Sequence, residues 1–319
     1  MNQTDFEKKH QATWSAMEAM LEAGRKESNL KYFPETYQAI SHHLALAKHR
    51  RYSTSLVQRL NHLVVEGHKR FYGDAPRLQS NFFRFIAFGF PQVVRRNHRF
   101  VNIAMGAFFL PGFLFLALCW TQSDLIYSLM GYDQVAEFES MYDPSNGELG
   151  RERQSDTDLM MFSFYIYNNI GISFQTFASG VFFGIGSLFY LIYNGIFIGA
   201  AAGHMARIGY ESTFFPFVVG HGAFELTAIG LAGAAGLKLG WALIAPGNYS
   251  RMASLRVAAE DAVRIIYGST LMLLIAAFIE AFWSSSSTVP VNIKYAVGFS
   301  FWILVIWYLI FVGRSRRAA

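Results

Sequence analysis

His221 and Glu225 stand four residues apart in VVGHGAFELTAIG, a spacing that puts an imidazole and a carboxylate on one face of a helix. A second acid, Glu280, sits in FIEAF, again within an apolar stretch. Groups of these types carry protons, bind ions or recognise polar headgroups. A charge near a bilayer centre costs about 2.5–3.5 kcal/mol, so it is turned into the bundle interior and is often functional. Asn168, Asn169, Gln175, Asn194 and His204 add hydrogen-bonding groups in the same uncharged surroundings, and the eight residues form a candidate polar seam.

The competing use of such a seam is interhelical glue, worth about 0.6 kcal/mol per cross-helix bond. Glu280 also lies close to SSSS at 284–287, where an interfacial position would make it cheap. Two carboxylates and a histidine are a zinc-binding set in kind. The H-E-x-x-H pattern is absent, however, and no metal site is assigned. Nor is there a Walker loop, a dinucleotide fingerprint or a nucleophile elbow. GIFIGAAAG has the glycines of a phosphate cradle without the strand-turn-helix setting. The expectation is a protein that is not an enzyme, with no catalytic residue, no cofactor and no nucleic-acid partner.

The elements that hold the seam are membrane helices. Hydrophobic residues make up 53% of the 319 and charged residues 15%, well under the roughly 25% charge of soluble domains. Between Asp158 and Arg207 there is no Asp, Glu, Lys or Arg at all. As one helix that run would be roughly 70 Å long, more than twice the hydrocarbon core, so it must fold back. Gly180, Gly184 and Gly186 offer a turn, as does Asn194-Gly195. The expected fold is an all-α polytopic bundle with spans near 101–120, 170–187, 189–206, 214–236, 265–283 and 294–312. Four spans with a re-entrant segment is the alternative. The lone Cys119 excludes an intrachain disulfide.

Charge sets the expected orientation. The loop 121–158 carries nine acids against Arg151 and Arg153, while Arg314, Arg316 and Arg317 follow the last span. Basic flanks mark the cytoplasmic side, so both termini are expected inside and the acidic loop outside. The N-terminus lacks the apolar core of a signal peptide. Residues 1–75 read as a cytosolic helical domain. Phe6, Trp14, Met17 and Leu21 lie on one face, a second helix begins near Pro34, and a third is capped at Ser53 or Thr54. Its histidines, His42, His43, His49, His62 and His68, read as solvated.

Residues 76–99 hold Arg77, Arg84, Arg95, Arg96 and Arg99 among phenylalanines, with no acid, and read as a basic elbow helix on anionic lipid. Gly222, Gly230, Gly233 and Gly236 form a small-residue surface for close helix packing, within the chain or across a homodimer. Arg251 marks the charged segment 238–264 as a cytoplasmic loop.

YNNIGISFQTFASGVFFGIGSLFYLIYNGIFIG at 167–199, VVGHGAFELTAIGLAGAAGLKLGWALIAPG at 218–247 and Arg251 together resemble the stage II sporulation protein M family. The N-terminal helical region is similar to the cytoplasmic part of non-sporulating bacterial members. The resemblance implies a polytopic scaffold or assembly protein, and partners such as MoxR-type ATPases and von Willebrand factor A-like proteins. The reading is therefore a membrane scaffold recruiting partners on both sides. A transporter or lipid-handling protein using the Asn/His/Glu seam is the alternative.

Overall fold

The computed structural model describes residues 2–22, 32–72, 81–145, 157–286 and 288–314. Every element among them is helical, as the apolar periodicity requires. The chain divides into two compact units, Met1–Phe83 and Arg84–Ala319.

The first unit contains α1 (Gln3–Glu22), α2 (Phe33–His49) and α3 (Thr54–Tyr72). Phe6, Trp14 and Met17 from α1 meet Ile40 and Leu44 from α2 and Leu56, Leu60 and Leu63 from α3 in one core. The Gln3 side chain bonds both the amide and the hydroxyl of Ser53, which ties the start of α1 to the start of α3. One histidine departs from the solvated reading. His43 is buried, accepts from Trp14 Nε1 at 3.2 Å and lies with its ring 3.9 Å from that of His10. Burial, then the nearby His10 and His42, lowers its pKa to about 4. Its sequence position on the apolar face of α2, three before Leu46 and three after Ile40, carries that signal.

The second unit holds α4 (Phe90–Arg96), α5 (His98–Thr121), α6 (Tyr132–Tyr142), α7 (Thr157–Ala178), α8 (Ile185–Arg207), α9 (Glu211–Ile244), α10 (Arg251–Ile279) and α11 (Val291–Phe311). Helices α5, α8, α9, α11 and the continuous stretch Arg251–Ser284 are long and apolar enough to cross a membrane. At 22 residues α7 has the length of a sixth crossing, but Asn168, Asn169 and Gln175 dilute its apolarity and it is not among those five. Helix α9 is the most enclosed, packing on α5, α7, α8, α10 and α11. By contrast α5 and α11 show Leu110, Phe113, Phe299 and Ile303 on the outside of the unit, the face that lipid tails suit.

The long uncharged run folds back at Ser179–Gly184. There Phe183 and Gly184 take left-handed φ of 55° and 80°, a conformation that glycine adopts freely. The turn presses on α9: Gly180 meets the backbone of Gly236, and Gly240 that of Gly184. Asn194-Gly195 is helix interior instead. Gly195, Gly199 and Gly203 form a stripe on α8 against the backbone of Phe108, Gly112 and Leu116 of α5, so close that any Cβ would collide. From sequence, Gly195 is expected in a turn, and the three glycines together only as a phosphate cradle that lacks its setting, so their packing role is seen first in the structure.

The small surface on α9 is used within the unit too. Gly230 seats Met105, Gly233 seats Leu191 and Gly236 seats Ser187, whereas Gly222 has only its own helix nearby. The segment 238–264 is mostly not a loop. Helix α9 runs on to Ile244, and Arg251 opens α10, where Ser250 Oγ accepts from Ala253 N as N-cap.

The basic elbow divides. Arg77 lies outside the described residues; Arg84 and Arg99 are exposed. Arg95 donates to the Leu309 carbonyl at 2.8 Å, and Arg96 pairs with Asp261. Phe90, Val93 and Val94 are buried among α9, α10 and α11, with Phe90 fitted into a notch left by Gly268. Part of this segment therefore belongs to the bundle core.

Candidate functional site

A cavity of about 510 Å³ opens within the second unit, lined by α6, α7, α8, α9 and Glu280. Asn168, Asn169, Gln175, Asn194, His221, Glu225 and Glu280 all line it, seven of the eight residues of the candidate seam. Helical spacing explains the convergence. Asn168, Asn169, Ile172 and Gln175 recur on one face of α7, as do Tyr190, Asn194, Phe197 and Ala201 on α8. On α9, Val218, His221, Gly222 and Glu225 form the third wall, and the missing side chain of Gly222 leaves open space there.

Glu280 and Ser284 bound a π-helical turn, Glu280–Ser284, at the end of α10. Such turns are frequent at functional sites because the extra residue re-aims side chains. Here Glu280 points inward, and Ser284 meets His221, with Oγ 3.2 Å from Nδ1. His221 Nε2 is 4.0 Å from Glu225 Oε2. Asn169 sits against both carboxylates without its Nδ2 reaching hydrogen-bond geometry with either. Asn168 Nδ2 donates to Asn169 Oδ1 at 3.1 Å, and Asn194 Nδ2 to its own helix at Tyr190 O. Glu280 is 8% exposed, so its side chain is buried within the unit.

His204 is the eighth residue and faces elsewhere. Its Nε2 lies 2.7 Å from Glu139 Oε1 on α6, in the acidic loop. The Thr213 hydroxyl donates to Tyr142 O at 2.5 Å, and the Tyr142 ring packs edge-on to Phe214 and Phe217. These contacts clasp α6 onto the bundle, where Gln134, Glu137 and Phe138 complete the cavity wall. Sequence reasoning missed this wall, because it treated 121–158 as a charged loop. Amphipathic Val135, Phe138 and Tyr142 at helical spacing were the signal available.

A second polar cluster occupies the other end of the unit. Asp261 accepts from Arg96, from Asn97 Nδ2 at 3.1 Å and from Lys238, whose Nζ also donates to Asn97 Oδ1 at 2.7 Å. Asn97 Nδ2 is bonded to Val93 O as well. Sequence reasoning did not single out Lys238, Asp261 or Asn97; the isolated Lys238 in GLKLG was the visible hint.

Apolar crossing-length helices around a cavity that gathers polar side chains define an integral membrane protein of all-α type. The family model Stage II sporulation protein M matches residues 104–285, more than half of the chain, and the chain belongs to that family. That region contains all eight residues of the seam. A model described as Domain of unknown function (DUF8413) matches residues 4–73, which covers α1–α3. No curated protein and no solved structure matches the chain.

Proposed function

We propose that the membrane unit binds a small polar group in this cavity, either a solute or a lipid headgroup whose tails stay in the bilayer, as a transporter or lipid-handling protein does. The observation that carries the reading is the convergence of seven polar side chains on one space of about 510 Å³. That is within the size range of small-molecule pockets and far larger than glue between helices needs. Aromatic walls from Tyr190, Tyr193 and Phe197 beside these polar groups suit a pocket that holds a ligand with both apolar and polar parts. The membrane is the bacterial inner membrane, with both termini cytoplasmic. In support, Arg207 donates to Trp120 and Thr121 carbonyls, so the C-terminal ends of α5 and α8 lie together beside the acidic loop.

Native mass spectrometry of the full-length chain in nanodiscs tests this reading. Wild type should retain a solute or lipid that Ile198→Trp, which pushes a large ring into the cavity beside Asn194 and His221, holds less well. Identical spectra from the two proteins would defeat the proposal.

The helical unit Met1–Phe83, with its own core, favours a second role as a scaffold. Its partners would be of the MoxR-type ATPase and von Willebrand factor A-like kinds. Co-purification of such partners should be lost on deletion of residues 1–75 and unchanged by Glu225→Gln. Loss in Glu225→Gln alone would contradict it.

A further inference from the structure

Three ionisable groups in the wall of the cavity are arranged as a cation would require. One donor atom each from His221, Glu225 and Glu280 lies within 4.8 Å of the other two. A point equidistant from three atoms at that spacing is about 2.8 Å from each. Reaching the ~2.0–2.2 Å of zinc–nitrogen and zinc–oxygen bonds therefore asks each side chain to move by less than ~1 Å.

Two further observations point the same way. Glu280 is 8% exposed, and its buried Oε2 has no hydrogen-bond partner. A carboxylate in that condition beside a second carboxylate is costly, whereas a divalent ion between them makes the pair neutral in a low-dielectric surround. His221 is also held from its other ring nitrogen. Ser284 Oγ stands 3.2 Å from Nδ1, and Nε2, the nitrogen on the Glu225 side, remains for an ion. Ligating histidines are commonly oriented in this way by a bond to the second nitrogen.

We propose that His221, Glu225 and Glu280 bind one divalent transition-metal ion of the zinc class. An imidazole with two carboxylates selects Zn²⁺ or Mn²⁺ over Ca²⁺ and Mg²⁺, which take oxygen ligands. Three protein ligands leave coordination positions open, and these face the cavity, where water or an anionic group of a bound molecule completes the shell. The His-x-x-x-Glu spacing of α9 supplies two ligands from adjacent turns, and the π turn of α10 supplies the third. The ion site extends the cavity reading and does not depend on any other ligand entering.

The test uses the untagged full-length chain in detergent, stripped with chelator and dialysed against Zn²⁺, with metal content read by elemental mass spectrometry. Wild type should hold one ion per chain. Glu280→Gln and His221→Ala should weaken zinc binding at least tenfold, and Glu225→Asp less. His204→Ala should bind as wild type does, because that histidine pairs with Glu139 outside the cavity. Co²⁺ in place of Zn²⁺ should give a visible absorption band that Glu280→Gln loses while remaining monodisperse by size exclusion. Equal zinc retention by wild type, Glu280→Gln and His221→Ala would overturn the proposal, as would an ion-free wild type. A retained solute or lipid with no ion would remove the metal site and leave the cavity reading standing; an ion with no retained ligand would do the reverse.

Discussion

The membrane unit contains two polar clusters of opposite character. At the end formed by Asn97, Lys238 and Asp261, each carboxylate oxygen has a donor, the cations share the acid, and the glycines of the Ser179–Gly184 turn seal the neighbouring helices. At the other, Glu280 Oε2 and Asn169 Nδ2 are buried without partners beside open space. Sequence does not distinguish them, since both are a few polar residues in apolar helices. Satisfaction does: a completed network fixes helices in register, whereas an uncompleted one beside a cavity leaves valence for a ligand.

That contrast breaks most readily at Asp261. Asp261→Ala leaves Lys238 and Arg96 without their shared acid, and removing one partner of a buried ion pair costs about 3–5 kcal/mol. Thermal unfolding in detergent should show this loss; a melting temperature within a degree of wild type would mean the cluster does not lock the helices.

Close packing comes next. Gly199→Ile places a branched side chain against the Gly112 backbone and should cost about 3 kcal/mol. The same measurement reads it, and a neutral result would mean that α5 and α8 separate easily.

The helical unit supplies a third polar group that is already satisfied, His43. Burial lowers its pKa to about 4, against 6.5 when unfolded. The imidazole is neutral in both states above pH 6.5, and stability is lost as the pH falls from 6.5 through 4, on the order of 2 kcal/mol. Hydrogen-exchange protection along α2 in the full chain, each rate taken relative to the intrinsic rate at that pH, should fall over that window, and His43→Gln should flatten the dependence.

Glu280→Gln should do the least to the fold and the most to function. An amide is cheaper to bury than a carboxylate, so stability should stay within ~1 kcal/mol of wild type, while zinc binding falls. A large stability loss would class Glu280 with Asp261. Finally, in a Cys119→Ala background, Ser145→Cys and Tyr210→Cys should both react with an impermeant thiol reagent from the acidic-loop side. An unreactive position 210 would favour four spans over six.

Much of the fold was legible because bilayer physics leaves few solutions. Long uncharged runs require helices, and a run of twice the bilayer thickness requires a turn. Trp14, Leu60 and their neighbours announced the helical unit by period alone. The seam was legible as residue types, since an ionisable group in an apolar run stands out. Misread were Asp261 and Lys238, placed in a loop because charge was taken to end a helix. Also overlooked was α6, whose acids hid its apolar face.

From the chain alone came helices in a membrane, their approximate ends, and which side chains hydrocarbon would not tolerate, because each follows from local composition and the cost of unpaired polar groups. Only tertiary structure decided which polar residues meet one another. Helix rotation and the π turn at Glu280 set the direction of each side chain, and close approach at Gly195, Gly199 and Gly203 sets which helices adjoin. His221, Glu225 and Glu280 thus share one cavity while His204 clasps a loop helix, a difference that depends on packing across helices far apart in sequence.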